Sequence, residues 1–228
     1  MANPPDPFRD APDELVSFFL DAVCLRNREL RIHPLTADES RSESAALQET
    51  DFGEALGLIA LDDANDSNPY CLISRGIGRG MVLYYSHDGS PEIRFADLAS
   101  FKAALIAACD QNLSIDELPA EPLRPYADQQ TLANTLAELN RDDGDTAEFL
   151  LCLFVPLLSP EQLPTFEQLG TNASFFVRES IASYIEMHPR PEHQAVAARL
   201  AADPHPQVSK VGKKALSCVN RVLHSKSA

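Results

Sequence analysis

Three short stretches carry side chains able to react or to ligate. His87-Asp88 sets an imidazole beside a carboxylate, the partners of general acid–base catalysis. Adjacent residues on a strand or turn point apart, however, and no Ser or Cys nucleophile motif accompanies them; with Gly89 the pair reads as a turn. Asp62, Asp63 and Asp66, with Asn65, make a hard, oxygen-rich loop. Such a loop suits a divalent cation, but the distal Glu of a calcium-binding loop is missing. Two other readings stay open: a plain solvated loop, or carboxylates that stand in for nucleic-acid phosphates against a basic protein surface. Gly76, Gly78 and Gly80 are spaced G-x-G-x-G between two strands rather than before a helix, so they do not form a dinucleotide-binding turn. The five cysteines (Cys24, Cys71, Cys109, Cys152, Cys218) are far apart and include no C-x-x-C pair, so they read as buried free thiols of a reducing compartment. No cofactor, no bound metal and no catalytic residue is expected.

The elements that place these groups are short. Residues 57–61 form a strand, 62–69 a polar loop and 70–73 a second strand. The glycine-rich turn of residues 75–80 leads to a third strand over 81–85, aromatic and β-branched. Residues 92–95 alternate like a half-buried strand. The period then changes: Leu98, Phe101, Leu105, Ile106 and Cys109 share one helical face, with Asp97 or Ser100 as the cap. The unit is a small antiparallel sheet closed by a helix.

The order of these pieces resembles the SUKH superfamily. The matching residues are Leu58-Ile59-Ala60, Asp62-Asp63, Tyr70-Cys71-Leu72, Gly80-Met81-Val82, His87-Asp88 and Ala99-Ser100-Phe101. They span about a quarter of the chain, and order and spacing rather than any one motif carry the likeness. The family's upstream Asn-Gly-Gly-like turn has no counterpart; residues 43–52 are polar and acidic instead. The resemblance implies an immunity protein, a non-catalytic inhibitor of a toxin effector, most often a nuclease of a secretion or contact-dependent competition system. Asp62, Asp63 and Asp66, with Asp88 and Glu92, are the expected contacts to that basic partner. Charge reversal at Asp62, Asp63 and Asp66 is expected to weaken binding and leave the fold intact. The alternative is a scaffold or adaptor that binds a cellular protein through its helical part.

The chain has 228 residues and a formal net charge of −15. Such acidity repels phosphates, which disfavours nucleic-acid binding and favours a basic protein. Neither a secretory signal nor a membrane span is read from the sequence, so a cytoplasmic location is expected. Residues 1–12, with four prolines, read as a loose arm. Asp13 opens a helix with Leu15, Phe18, Phe19, Ala22, Val23 and Arg26 on or near one face, packing on the sheet or, in the sharper reading, docking a partner. Residues 30–35 look like an edge strand because of Pro34. Residues 36–49, with DESRSES at their heart, are a surface loop or a weak helix.

Pro119, Pro122 and Pro125 break both helix and sheet, so the domain boundary falls there, dividing residues 1–118 from 126–228. Beyond it every pattern is helical. Residues 148–158 form a very apolar central helix interrupted at Pro156, and Ser159-Pro160 caps and opens the next. Val177, Ile181, Tyr184 and Ile185 match Val208, Gly212, Ala215 and Leu216 at a fixed offset, which suits either HEAT-like repeats or a plain bundle. Charge is uneven. Residues 1–120 hold 21 Asp and Glu against 9 Lys and Arg, whereas residues 203–228 hold 5 Lys and Arg against 1 Asp. The fold class expected is α+β, a mostly antiparallel sheet with packing helices, followed by an all-α part.

Overall fold

A computed structural model describes residues 6–9, 11–63, 68–86, 91–119 and 122–225. The chain divides into two compact units, Met1–Arg124 and Pro125–Ala228. Among the described residues no helix is long and apolar enough to cross a membrane.

The first unit is built on four strands, β1 (Ile59–Asp62), β2 (Tyr70–Leu72), β3 (Val82–Tyr84) and β4 (Glu92–Phe95), paired antiparallel in chain order. β1 and β2 are short apolar runs without alternation, and both are buried on both faces, as such runs require. Gly76, Gly78 and Gly80 all take positive φ (65°, 80° and 89°), which explains their alternate spacing in the β2–β3 turn. One face of the sheet packs on α1 (Glu14–Ala22) and α4 (Leu98–Gln111). Phe101 of α4 is fully buried there, with the rings of Phe18, Tyr70 and Phe95 at 5.8, 5.1 and 5.2 Å. Asp97 caps α4 through Ser100 N–H, and the Ser100 hydroxyl returns to Asp97 N–H, so both expected capping residues act together.

Residues 36–49, expected as a loop or a weak helix, include a helix, α2 (Ala37–Leu47). Thr36 and Glu39 form a capping box at its start. Two of its serines, Ser40 and Ser44, face inward. Ser44 Oγ accepts from Ala60 N–H (2.9 Å), Ser40 Oγ donates to the Ala60 carbonyl, and Gln48 Nε2 donates to the Leu58 carbonyl (2.8 Å). Residues at i, i+4 and i+8 thus take the place of a neighbouring strand along the outer edge of β1. Leu35 N–H to Leu61 O (2.9 Å) and Asp63 N–H to His33 O (3.1 Å) continue that seal. Residues 30–35 are therefore not a full strand; two isolated bridges, Asn27 to Ile32 and Pro34 to Asp62, hold them. An edge that would otherwise present bare N–H and C=O groups is closed. Thr50 then caps α3 (Asp51–Leu56), which ends on left-handed Gly57.

The second unit is helical: α5 (Gln129–Leu139), α6 (Asp145–Phe154), α7 (Leu163–Leu169), α8 (Phe175–Met187), α9 (Gln194–Ala201) and α10 (Pro206–Ser225). At Pro156 the apolar α6 passes into a single 3-10 turn, Val155–Leu157. Ser159 does not cap the next helix as expected. Its N–H donates to Gln129 Oε1 (2.6 Å), and α7 opens at Leu163. α10 packs on both α8 and α9. Of the matched positions, Val177, Ile181, Tyr184, Ile185, Val208, Gly212 and Ala215 are buried and Leu216 is half-buried. Gly212 lets α10 lie against α9, since a Cβ there would sit 2.4 Å from the Leu200 carbonyl carbon. Arg178 and Asp203 make a half-buried bidentate pair (2.7 and 3.1 Å), and Arg178 also donates to the carbonyls of Asn172 and Ala173.

Candidate partner-binding site

The residues expected to contact a partner fall into three groups. Asp62 is buried, at 2% exposure, so it is not part of an exposed acidic loop. Its Oδ2 accepts from His33 N–H at 2.7 Å, and its backbone bridges Pro34. The carboxylate pins residues 30–35 to β1, and reversing its charge would unfasten that edge rather than leave the fold intact. Asp63 is half-buried, and Glu92 on β4 is exposed, with Arg94 Nη1 3.4 Å away. Asp66 and Asp88 lie outside the described residues, as do Asn65, His87 and Gly89. Register nevertheless relates two of the five: Asp62, Tyr70, Tyr84 and Glu92 form one row across the sheet. With strands about 4.8 Å apart, Asp62 and Glu92 sit roughly 14 Å from each other.

A polar cluster lies along this row. Tyr70 OH donates to Asp116 Oδ1 (2.9 Å), and Arg94 Nη2 reaches the same oxygen (2.9 Å). Burial first, then the Asp116 charge, pushes the Tyr70 phenol well above its ordinary range, which keeps it a hydrogen-bond donor. The cavity beside it measures about 40 Å³, against several hundred for a ligand pocket. It has room for water but not for a substrate, so the cluster fastens the turn Ile115–Glu117 to the sheet. Among the described residues no group of three His, Cys, Asp or Glu side chains is arranged to hold a metal ion. All five cysteines are free, but only Cys71 is buried; Cys24 is exposed and the other three half-buried, which corrects the uniform burial expected.

The open surface of the first unit is acidic. Asp13, Glu14, Glu43, Glu49, Asp51 and Glu54 are exposed and, among the described residues, none is ion-paired. They stand at the starts of α1 and α3 and along the outer side of α2. The sequence reading points to the loop, Asp88 and Glu92; these carboxylates emerge as the solvent side of α1 to α3 once those helices are placed. α1 carries apolar side chains on more than one side. It buries Leu15, Phe18, Phe19 and Ala22, yet Val16 and Leu20 on its opposite side are 69% and 78% exposed. A groove of about 560 Å³ runs beside them.

No protein-family model, no curated protein and no solved structure matches this chain.

Proposed function

We propose that the chain is an immunity-type inhibitor that acts by binding, without turnover, and neutralises a protein toxin with a basic, nuclease-like domain in the cytoplasm. The observation that carries this reading is the set of unpaired exposed carboxylates on the first unit, within a stretch of 21 acidic against 9 basic residues. A nuclease grips its substrate with Lys and Arg, and a surface of this sign meets those groups and speeds encounter. The SUKH resemblance supports the same reading, because a meander of four short strands closed by a capped helix is the arrangement its motifs imply. Asp63, Glu92, Glu43, Asp51 and Glu54 are the proposed contacts, with Asp66 and Asp88 kept from the sequence; Asp62 is withdrawn.

The test is co-purification of the tagged chain from its own cells, followed by co-expression with the captured protein. One dominant basic partner, lethal alone and tolerated together with the chain, is the expected result. Several host proteins without toxicity would contradict it and favour an adaptor. One observation supports that second reading: Lys210, Lys213, Lys214 and Arg221 are exposed on α10 and, among the described residues, form no ion pair.

A further inference from the structure

We infer that the outer face of α1, with the groove beside it, receives an amphipathic helix of a partner protein that carries basic flanks. The inference rests on the binding role proposed above and deepens it by assigning the surface. A helix that is apolar on both sides belongs inside a core. α1 is such a helix, yet one side is bare: Val16 and Leu20 are the two most exposed large apolar side chains in the described chain. With half-buried Val23 they follow the spacing i, i+4, i+7 over roughly 10 Å, two helical turns. Phe8 stacks on Phe19 at 5.7 Å and, with Ala11, forms the far wall. This is the form of a site that takes a helix by two or three apolar anchors.

Charge selects the occupant. Arg41 at the rim is already held by Asp38 (3.3 Å) and Asp6 (3.6 Å), with its guanidinium 4.7 Å from the Phe8 ring centre. Asp13 at the groove and Glu14 beside it are exposed and, among the described residues, carry no ion pair. A second copy would set these acids against themselves, and an anionic membrane would be repelled, whereas Lys or Arg flanking the anchors would pair with them. Addition of a strand at β1 is closed off by Ser40, Ser44 and Gln48.

The test titrates the full chain into labelled peptides of about 18 residues, five helical turns. One peptide has Leu anchors at i, i+4 and i+7 with Lys flanks; a second replaces Leu by Ser, and a third replaces Lys by Glu. Fluorescence anisotropy is expected to show the Leu/Lys peptide binding about tenfold or more tighter than either control, and Leu20→Glu or Val16→Ser removing that advantage with an unchanged thermal melt. Equal binding of all three peptides, or wild-type binding by Leu20→Glu, overturns the inference. So does a self-association in sedimentation, or adsorption to phosphatidylglycerol vesicles, that Leu20→Glu abolishes, since the face would then have another occupant. The two proposals fail separately. A captured toxin that binds Leu20→Glu as well as wild type removes the groove and leaves the immunity reading. Peptide binding at α1 with no toxin captured does the reverse.

Discussion

α1 and α2 lie side by side in sequence and have exchanged roles. α1 reads as a core helix, yet two of its six apolar side chains, Val16 and Leu20, face solvent. α2 reads as a polar surface segment, and Ser40 and Ser44 are fully buried against β1. The difference teaches what each surface lacks. An edge strand needs hydrogen bonds more than it needs apolar cover, so the helix that seals it is rich in hydroxyls. A bare apolar face has no internal partner, so it points to an external one.

The largest expected effect breaks α2. Replacing Ser40 and Ser44 together by Ala strands the buried N–H and C=O of Ala60, at a cost of roughly 2–5 kcal/mol by the usual penalty for unmade buried bonds. Urea unfolding followed by circular dichroism measures it, and an unshifted midpoint would refute the role given to these serines. Next comes Asp62→Ala, which removes a charged acceptor from His33 N–H and is expected to cost about 2 kcal/mol. A variant as stable as wild type would return Asp62 to the list of surface contacts.

Thr36→Ala removes half of the capping box, for about 1 kcal/mol in the same assay. Its partner sharpens the comparison through pH. Hydrogen bonds from Thr36, then Arg26, hold the Glu39 carboxyl down at about 2, from an ordinary 4.5. A depressed carboxylate stabilises the fold fully above the unfolded value and loses that contribution as pH falls toward the folded one. Wild type is therefore expected to lose stability between about 4.5 and about 2, and Glu39→Gln to show a flatter profile across that window. The smallest effect belongs to α1. Val16→Ser and Leu20→Ser are expected to stay within about 0.5 kcal/mol of wild type, because the solvent already surrounds both side chains. A loss of several times that would mean that this face is packed.

Much of this was legible in the sequence. The four strands, the glycine turn and the closing helix follow from runs and periods, and the prolines at 119, 122 and 125 lie where one compact unit gives way to the next. What hydropathy misses is polar burial. Ser40, Ser44 and Gln48 at i, i+4 and i+8 are a helical face, and Thr36-x-x-Glu39 is a capping signature, but neither is apolar enough to register as packing. Asp62 reads as a loop residue for the same reason. It ends an apolar run and begins an acidic one, and only the return of residues 30–35 to β1 shows that its carboxylate belongs to the edge. For the candidate site, the face of α1 that packs on the sheet is legible, since Leu15, Phe18, Phe19 and Ala22 share it and are buried; the bare apolar pair Val16 and Leu20 on the other side is not singled out by that pattern.

Hydrogen exchange by mass spectrometry, on the full chain with and without the Leu/Lys peptide, tests the exchanged roles of α1 and α2 in one measurement. The account predicts that the segment holding Ala60 exchanges slowly in the free chain, while the α1 segment around Val16 and Leu20 gains protection only when the peptide is added. Rapid exchange at Ala60 in the free chain, or protection that falls on α2 instead of α1, would contradict it.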